Sequence, residues 1–223
     1  MEYRLKIMAI DQPTLETKRF VVVKPKDFKF IPGRSLNVSI PKPGLESYKR
    51  ALPVTSLNSD YYFEFTFKEY PRRDRFNEAL GNLKAGEEII VSEMAGTLEY
   101  KGPGVFIASG MGILPFLSIL RELKQESALA GNILLYSSKA RSELIMEREL
   151  KHMFGGKNIS FFLTWDKAAG YDNRRMDAEI LKEKISNFDQ EFYLAGSENF
   201  VLEMKGALES LGAKSINVEL VEQ

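Results

Sequence analysis

From Val105 to Glu219 the chain alternates short apolar strand candidates with helical stretches, and no other feature restricts its architecture as strongly. The strand candidates fall at residues 105–108, 132–136, 159–164, 191–195 and 215–219, and the helical stretches at 114–126, 142–154, 177–186 and 198–211. In the first of these helices Ile113, Phe116, Leu117, Leu120 and Leu123 recur at helical spacing and give one apolar face for a sheet. Gly212 follows the last helix as a stop. Five strands joined by four helices predict a parallel, doubly wound sheet, whose ligands bind beyond the carboxyl ends of the strands.

Before residue 100 the pattern differs. Strand candidates at 4–10, 17–23, 35–40, 61–70 and 87–92 are punctuated by Pro25, Pro32-Gly33, Pro41, Pro43-Gly44 and Asn58-Ser59-Asp60. Short strands between such turn signals predict an antiparallel barrel or sandwich. One helix is expected there, over 77–83 with Asn77 as its cap. The expected organisation is therefore β + α/β, with a barrel domain of residues 1–99 and a nucleotide-binding domain of residues 100–223. Lys plus Arg and Asp plus Glu both number 31, which excludes the charge excess of an obligate nucleic-acid or anionic-membrane binder. The chain has no cysteine, so it forms no disulfide and ligates no iron–sulfur cluster through thiolates. Its single histidine, His152, lies in a helical stretch without zinc-site or triad context. The opening residues hold no signal-peptide core and no run approaches spanning length, giving an expectation of a cytoplasmic protein without a membrane partner.

Three loops are expected at the carboxyl edge of the parallel sheet. The first is Ser109-Gly110-Met111-Gly112-Ile113-Leu114-Pro115-Phe116, where closely spaced glycines let the backbone approach an anion and Pro115 sits at a helix start. The free amides of that helix's first turn would point at a phosphate. The second, Tyr136-Ser137-Ser138-Lys139-Ala140-Arg141, brings hydroxyls and cations suited to a ribose or its phosphate. In the third, Gly196 permits close approach and Ser197 is placed to cap the next helix. Taken singly, Ser137 and Ser197 read as caps, and Lys139 and Arg141 as a solvated helix start. Their coincidence at one edge favours a nucleotide site. Trp165, after the third strand, is either a loop anchor or a platform for an adenine, and Asp166 and Asp172 read as solvated loop carboxylates.

This arrangement resembles the ferredoxin–NADP reductase superfamily over essentially the whole chain. Ala108-Ser109-Gly110-Met111-Gly112-Ile113-Leu114-Pro115 resembles its A-G-G-T-G-I-T-P turn, Phe192-Tyr193-Leu194-Ala195-Gly196-Ser197 its F-Y-x-C-G-P, and Glu93-Met94-Ala95-Gly96 its E-P-x-G. Asn217-Val218-Glu219 resembles the closing x-x-E, and Pro32-Gly33-Arg34-Ser35 matches P-G-Q-[FY] in part. The resemblance implies a flavin-dependent NAD(P)H oxidoreductase with FAD and NADP (or NAD), passing electrons to ferredoxin or flavodoxin. It implies Glu219 as a catalytic residue. Gly110, Met111, Gly112, Ile113, Leu114, Pro115, Ser137, Lys139, Arg141, Gly196 and Ser197 are implied to bind the nicotinamide nucleotide. Ser137, Lys139 and Arg141 lean towards NADP, since a 2′-phosphate calls for hydroxyl and cationic donors.

The chain departs from the family at the flavin signature R-x-[YF]-[ST], represented here by Arg50-Ala51-Leu52-Pro53. Arg50 keeps the cation for a phosphate, Leu52 offers an apolar cover in place of the aromatic, and Pro53 brings no donor. The Val54 amide or the Thr55 hydroxyl is the expected substitute. Asn77 is expected to present helix amides to the flavin pyrophosphate, with Arg72, Arg73 and Arg75 supplying charge there or docking an acidic redox protein. Ala195 replaces the family's cysteine, and the last residues lack its terminal aromatic. These departures support an alternative: a member that has lost the flavin and serves as a nucleotide-binding or regulatory module.

Overall fold

The computed structural model describes residues 2–69 and 74–221. Six strands form one antiparallel sheet: β1 (Tyr3–Thr14), β2 (Thr17–Val23), β3 (Ser35–Ser39), β4 (Arg50–Pro53), β5 (Tyr62–Lys68) and β6 (Glu88–Ala95), in the order β4-β3-β6-β1-β2-β5. The sheet curls into an unclosed barrel, and its edges meet at a single antiparallel bridge between Val54 and Phe65. Phe63, Phe65 and Phe67 alternate along β5 and fill the interior with Phe20, Leu36, Val38 and Ile89. The intervening Glu64 and Thr66 are buried as well, because the outer face of β5 does not face solvent alone.

Helix α1 (Arg75–Gly81) begins earlier than expected, and its cap is Asp74. The Asp74 carboxylate accepts the Asn77 amide at 2.8 Å, which places Asn77 inside the first turn and corrects its reading as the cap. Strand β4 is not among the strand candidates read from the sequence. Its four residues carry little strand pattern, and pairing with β3, in register Leu36 to Leu52, is what orders them. Tyr70, Arg72 and Arg73 lie outside the described residues.

The second sheet is parallel, with β7 (Gly104–Ser109), β8 (Ile133–Ser138), β9 (Ile159–Leu163), β10 (Glu191–Gly196) and β11 (Ser215–Leu220) in the order β11-β10-β7-β8-β9. Helices α2 (Ile113–Gln125) and α3 (Glu147–Phe154) pack on one face. Helices α4 (Ala178–Lys184) and α5 (Glu198–Ser210) pack on the other. The doubly wound architecture is as the alternation predicts, and the strand order reverses between β7 and β10, where such sheets bind ligands. The helix expected over 142–154 is broken. Residues Arg141–Glu143 make a single 3-10 turn, Leu144 is extended, and Met146 takes φ 55° before α3 starts. The break lets Leu144 and Ile145 sink into the core, a tertiary gain that helical continuity would forfeit. Among the described residues no helix is long and apolar enough to cross a membrane.

Candidate nucleotide site at the sheet edge

At the carboxyl end of β7 the chain turns through Gly110-Met111-Gly112 in one 3-10 turn and enters α2. Gly110 takes φ 53°, a left-handed conformation that glycine adopts without strain. Beneath the turn lies Tyr136, fully buried. Its hydroxyl donates to the Gly110 carbonyl at 3.1 Å and accepts the Ile145 amide at 3.2 Å. Burial pushes this phenol well above its ordinary range, so it stays a neutral strut. Nothing in the sequence distinguishes Tyr136 from a core aromatic; its position at the end of a strand beside the glycine turn is the only signal.

A cavity of about 450 Å³ opens at this edge. Ser109, Gly110 and Met111 line it after β7, Ser137, Ser138 and Lys139 after β8, Thr164 and Trp165 after β9, and Ser197 after β10. The loops are tied together: the Ser138 carbonyl accepts the Thr164 amide at 3.0 Å, and the Lys139 carbonyl accepts the Trp165 amide at 2.9 Å. The Lys139 ammonium lies 4.8 Å from the Trp165 ring centroid, and Trp165 is 72% exposed. The barrel supplies the facing wall through Thr14, Glu16, Thr17 and Lys68. The Lys68 ammonium 2.6 Å away holds the Glu16 carboxyl below its usual range, and Lys139 adds a smaller pull from across the cavity.

The structure brings together most of the expected nucleotide residues. Gly112, Ile113, Leu114 and Pro115 are buried behind the turn and shape it without lining the cavity. Gly196 packs against Ser109 and Phe200. Ser197 stands at the cap position of α5, but its hydroxyl makes no capping bond and lines the cavity instead. Arg141 is the exception. Its guanidinium sits over the Tyr171 ring at 5.5 Å and 3.4 Å from Glu147, and it lines a separate groove between the domains. The Asp166 carboxylate anchors its backbone amide at 2.8 Å. Arg175, which the sequence did not single out, takes its place in the cavity wall.

On the barrel side the donor set expected for a flavin is divided. Arg50 fits: its guanidinium donates to the Asn77 Oδ1 at 2.7 Å, so a cation meets the start of α1. Leu52 does not fit as a cover, because it is 2% exposed and packs within the barrel core beside Leu36. Pro53 is buried, and the Val54 amide donates to the Arg34 carbonyl at 3.2 Å. The Thr55 hydroxyl donates to Glu64 Oε1 at 2.7 Å. Glu219 accepts the Thr97 and Leu98 amides at 2.9 and 3.2 Å. Gly96, at φ 85°, leaves room for that carboxylate, and Arg34 donates to the Gly96 carbonyl. Three separate sequence motifs thus converge on one linker contact.

Residues 106–205 match the family described as the oxidoreductase NAD-binding domain. The chain is 26% identical over 208 residues to the glycine betaine monooxygenase reductase subunit of Pseudomonas aeruginosa, covering 86% of this chain and 56% of that protein. It is 27% identical over 221 residues to NADH-cytochrome b5 reductase 1 of Aspergillus terreus, covering 87% of this chain and 72% of the relative. The chain thus spans about half the length of the bacterial reductase subunits it matches. In fold it is similar to a ferredoxin NADP+ reductase from Neisseria gonorrhoeae with bound FAD and NADP, at TM-score 0.86 and 19% identity over 98% of both chains. The barrel followed by a doubly wound sheet is therefore shared with known reductases, as the sequence pattern predicts.

Proposed function

We propose that the chain is a member of the ferredoxin–NADP reductase superfamily, a flavin-dependent NAD(P)H oxidoreductase that takes hydride from a reduced nicotinamide and passes electrons to a small redox protein. The NAD-binding-domain match over residues 106–205 and the shared fold support this reading. The observation that carries this reading is the cavity at the strand-order reversal, walled on one side by the glycine turn and on the other by the barrel. In this reading residues 1–99 serve the flavin and residues 100–223 the nucleotide. Gly110, Met111 and Ser197 approach the pyrophosphate, and Ser137, Lys139 and Arg175 hold the adenosine end. Two cations and a serine there favour NADPH over NADH. Arg50 would hold the phosphate of FAD. When bound, the flavin would supply the acceptor for hydride and the release of single electrons, while the protein orients the partners and excludes water. Glu219 acts on this reading through Thr97 and Leu98, fixing the linker between the sheets.

The electron acceptor in this proposal is a ferredoxin or flavodoxin. Support comes from relatives named as reductase components of monooxygenases and from the absence of any cysteine in these 223 residues to hold an iron–sulfur centre. A second reading, a flavin-free nucleotide-binding module, draws on the burial of Leu52 and the engagement of Thr55 by Glu64. One experiment separates them. An absorption spectrum of freshly purified protein, recorded anaerobically before and after NADPH, is expected to show a flavin band that bleaches. Protein that neither carries flavin nor binds added FAD would leave the second reading standing.

A further inference from the structure

Helix α2 begins at the glycine turn and ends against the barrel. Ser118, fully buried, accepts the Gly33 amide at 3.0 Å. One turn further on, Arg121 reaches across: Nη1 donates to the Thr55 carbonyl at 2.6 Å and to Glu64 Oε1 at 2.7 Å. Its remaining edge grips Glu149 of α3, with Nε to Oε1 at 2.6 Å and Nη2 to Oε2 at 2.9 Å. Glu64 is 8% exposed and also has Arg19 at 3.3 Å and the Thr55 hydroxyl at 2.7 Å. Burial disfavours the Arg121 charge, but Glu149 and Glu64 more than offset it, holding the guanidinium above its ordinary range. Four of the five donors of this planar group are spent on this junction.

Thr55 lies just beyond β4, the strand that carries Arg50, and α2 starts at the turn that lines the nucleotide cavity. We propose that Arg121 is a positioning residue that sets the β4 end of the barrel at a fixed offset from the glycine turn, and so sets the nicotinamide against the flavin. The inference rests on the reductase reading above. Hydride transfer requires reacting atoms about 3–3.5 Å apart, and misplacement by about 1 Å costs on the order of a hundredfold in rate. A group that bonds both cofactor-bearing segments therefore controls rate without touching either cofactor. Because the Thr55 contact is made through its carbonyl, the Arg121 side chain is the end that mutation can remove.

The test compares wild-type protein, R121K and the charge-balanced E64Q/R121M pair, which removes the buried Glu64 carboxylate together with the cation and leaves the partly exposed Glu149 to solvent. NADPH binding is read from fluorescence of Trp165, the only tryptophan and a wall of the cavity. Flavin reduction at saturating NADPH is read by stopped flow, together with the long-wavelength charge-transfer absorption of the stacked rings. The expected result for the pair is an NADPH dissociation constant within twofold of wild type, flavin reduction slowed at least tenfold and a lost charge-transfer band. R121K, which keeps charge but not the fork, falls in between. A reduction rate within twofold of wild type, even with a lowered melting temperature, overturns the positioning role and leaves Arg121 a structural tie. Should the pair fail to fold, R121K decides by the same rate criterion. Wild-type protein that does not reduce a flavin with NADPH sinks the reductase reading itself, and the inference with it.

Discussion

Gly112 and Ala195 meet so closely that a β-carbon on Gly112 would lie 2.1 Å from the Ala195 carbonyl oxygen. The obstacle is backbone of β10, which is hydrogen-bonded on both sides within the sheet and has no room to yield. Gly112→Ala must therefore push the glycine turn away from β10. Overpacking of this kind costs about 1–3 kcal/mol or more, and for a chain of this size each kcal/mol lowers Tm by about 2–4 °C. A melting curve is expected to fall accordingly, with weaker nucleotide binding because the turn that lines the cavity has moved. An unchanged Tm would show that the two turns are not in contact.

Lys139 and Arg141 stand two residues apart, yet only Lys139 lines the cavity. Lys139→Ala is expected to raise KM for NADPH roughly tenfold, the scale of one charge-assisted hydrogen bond, and to change KM for NADH by less than twofold. Arg141→Ala should change neither, since its guanidinium is spent on Tyr171 and Glu147. Initial rates with both cofactors measure this directly. Equal losses with NADPH and NADH would mean that Lys139 meets the shared pyrophosphate rather than the 2′-phosphate.

The carboxylate of Glu219 satisfies the amides of Thr97 and Leu98 across a separation of more than a hundred residues. Removing it in Glu219→Ala leaves those donors to water or to nothing, a cost of about 1–3 kcal/mol. Glu219→Gln keeps an acceptor oxygen and should lose less. Urea midpoints give the order wild type, then Gln, then Ala. Flavin reduction in the Gln variant is expected within threefold of wild type, because the carboxylate acts by holding the linker. A hundredfold loss in that variant would instead support the catalytic role that the family resemblance implies for Glu219.

The α/β half was legible because its information is local. Apolar runs of strand length, a helical period from Ile113 to Leu123 and paired glycines each state their structure within a few residues. The misreadings have a common physical origin in contacts distant along the chain. Strand β4 exists because Leu52 faces Leu36 across the ladder, which the composition of Arg50-Ala51-Leu52-Pro53 does not reveal. Asp74 and Asn77 are both competent caps three residues apart, and the choice of Asp74 fell to the packing of α1. The break before α3 follows from burying Leu144 and Ile145. Arg121 carries no signal in the sequence that singles it out, and its partners Thr55 and Glu64 lie in the barrel. Site loops at the sheet edge were therefore visible, whereas the junction that aligns them with the barrel was not.

Asp172, expected as a solvated loop carboxylate, instead secures the exposed flank of β9. Its carbonyl accepts the Leu163 amide at 2.8 Å, its amide donates to the Phe161 carbonyl at 2.9 Å, and its two carboxylate oxygens take the Nε–Nη2 edge of the Arg174 guanidinium at 2.8 and 2.6 Å. Those hydrogen bonds, outweighing partial burial, hold the Asp172 carboxyl below its usual range. A carboxylate lowered in the folded state stabilises that state at neutral pH. As pH falls below about 3.9, the ordinary value of an aspartate, the unfolded chain begins to take up the proton first, and the contribution is gone once pH passes the lowered folded value. Arg174→Ala removes the cause of the shift. Urea midpoints of wild type and Arg174→Ala should therefore differ at pH 7 and draw together as pH falls below about 3.9. Curves that stay parallel over that range would mean that the Arg174 bonds to Asp172 do not depend on its charge.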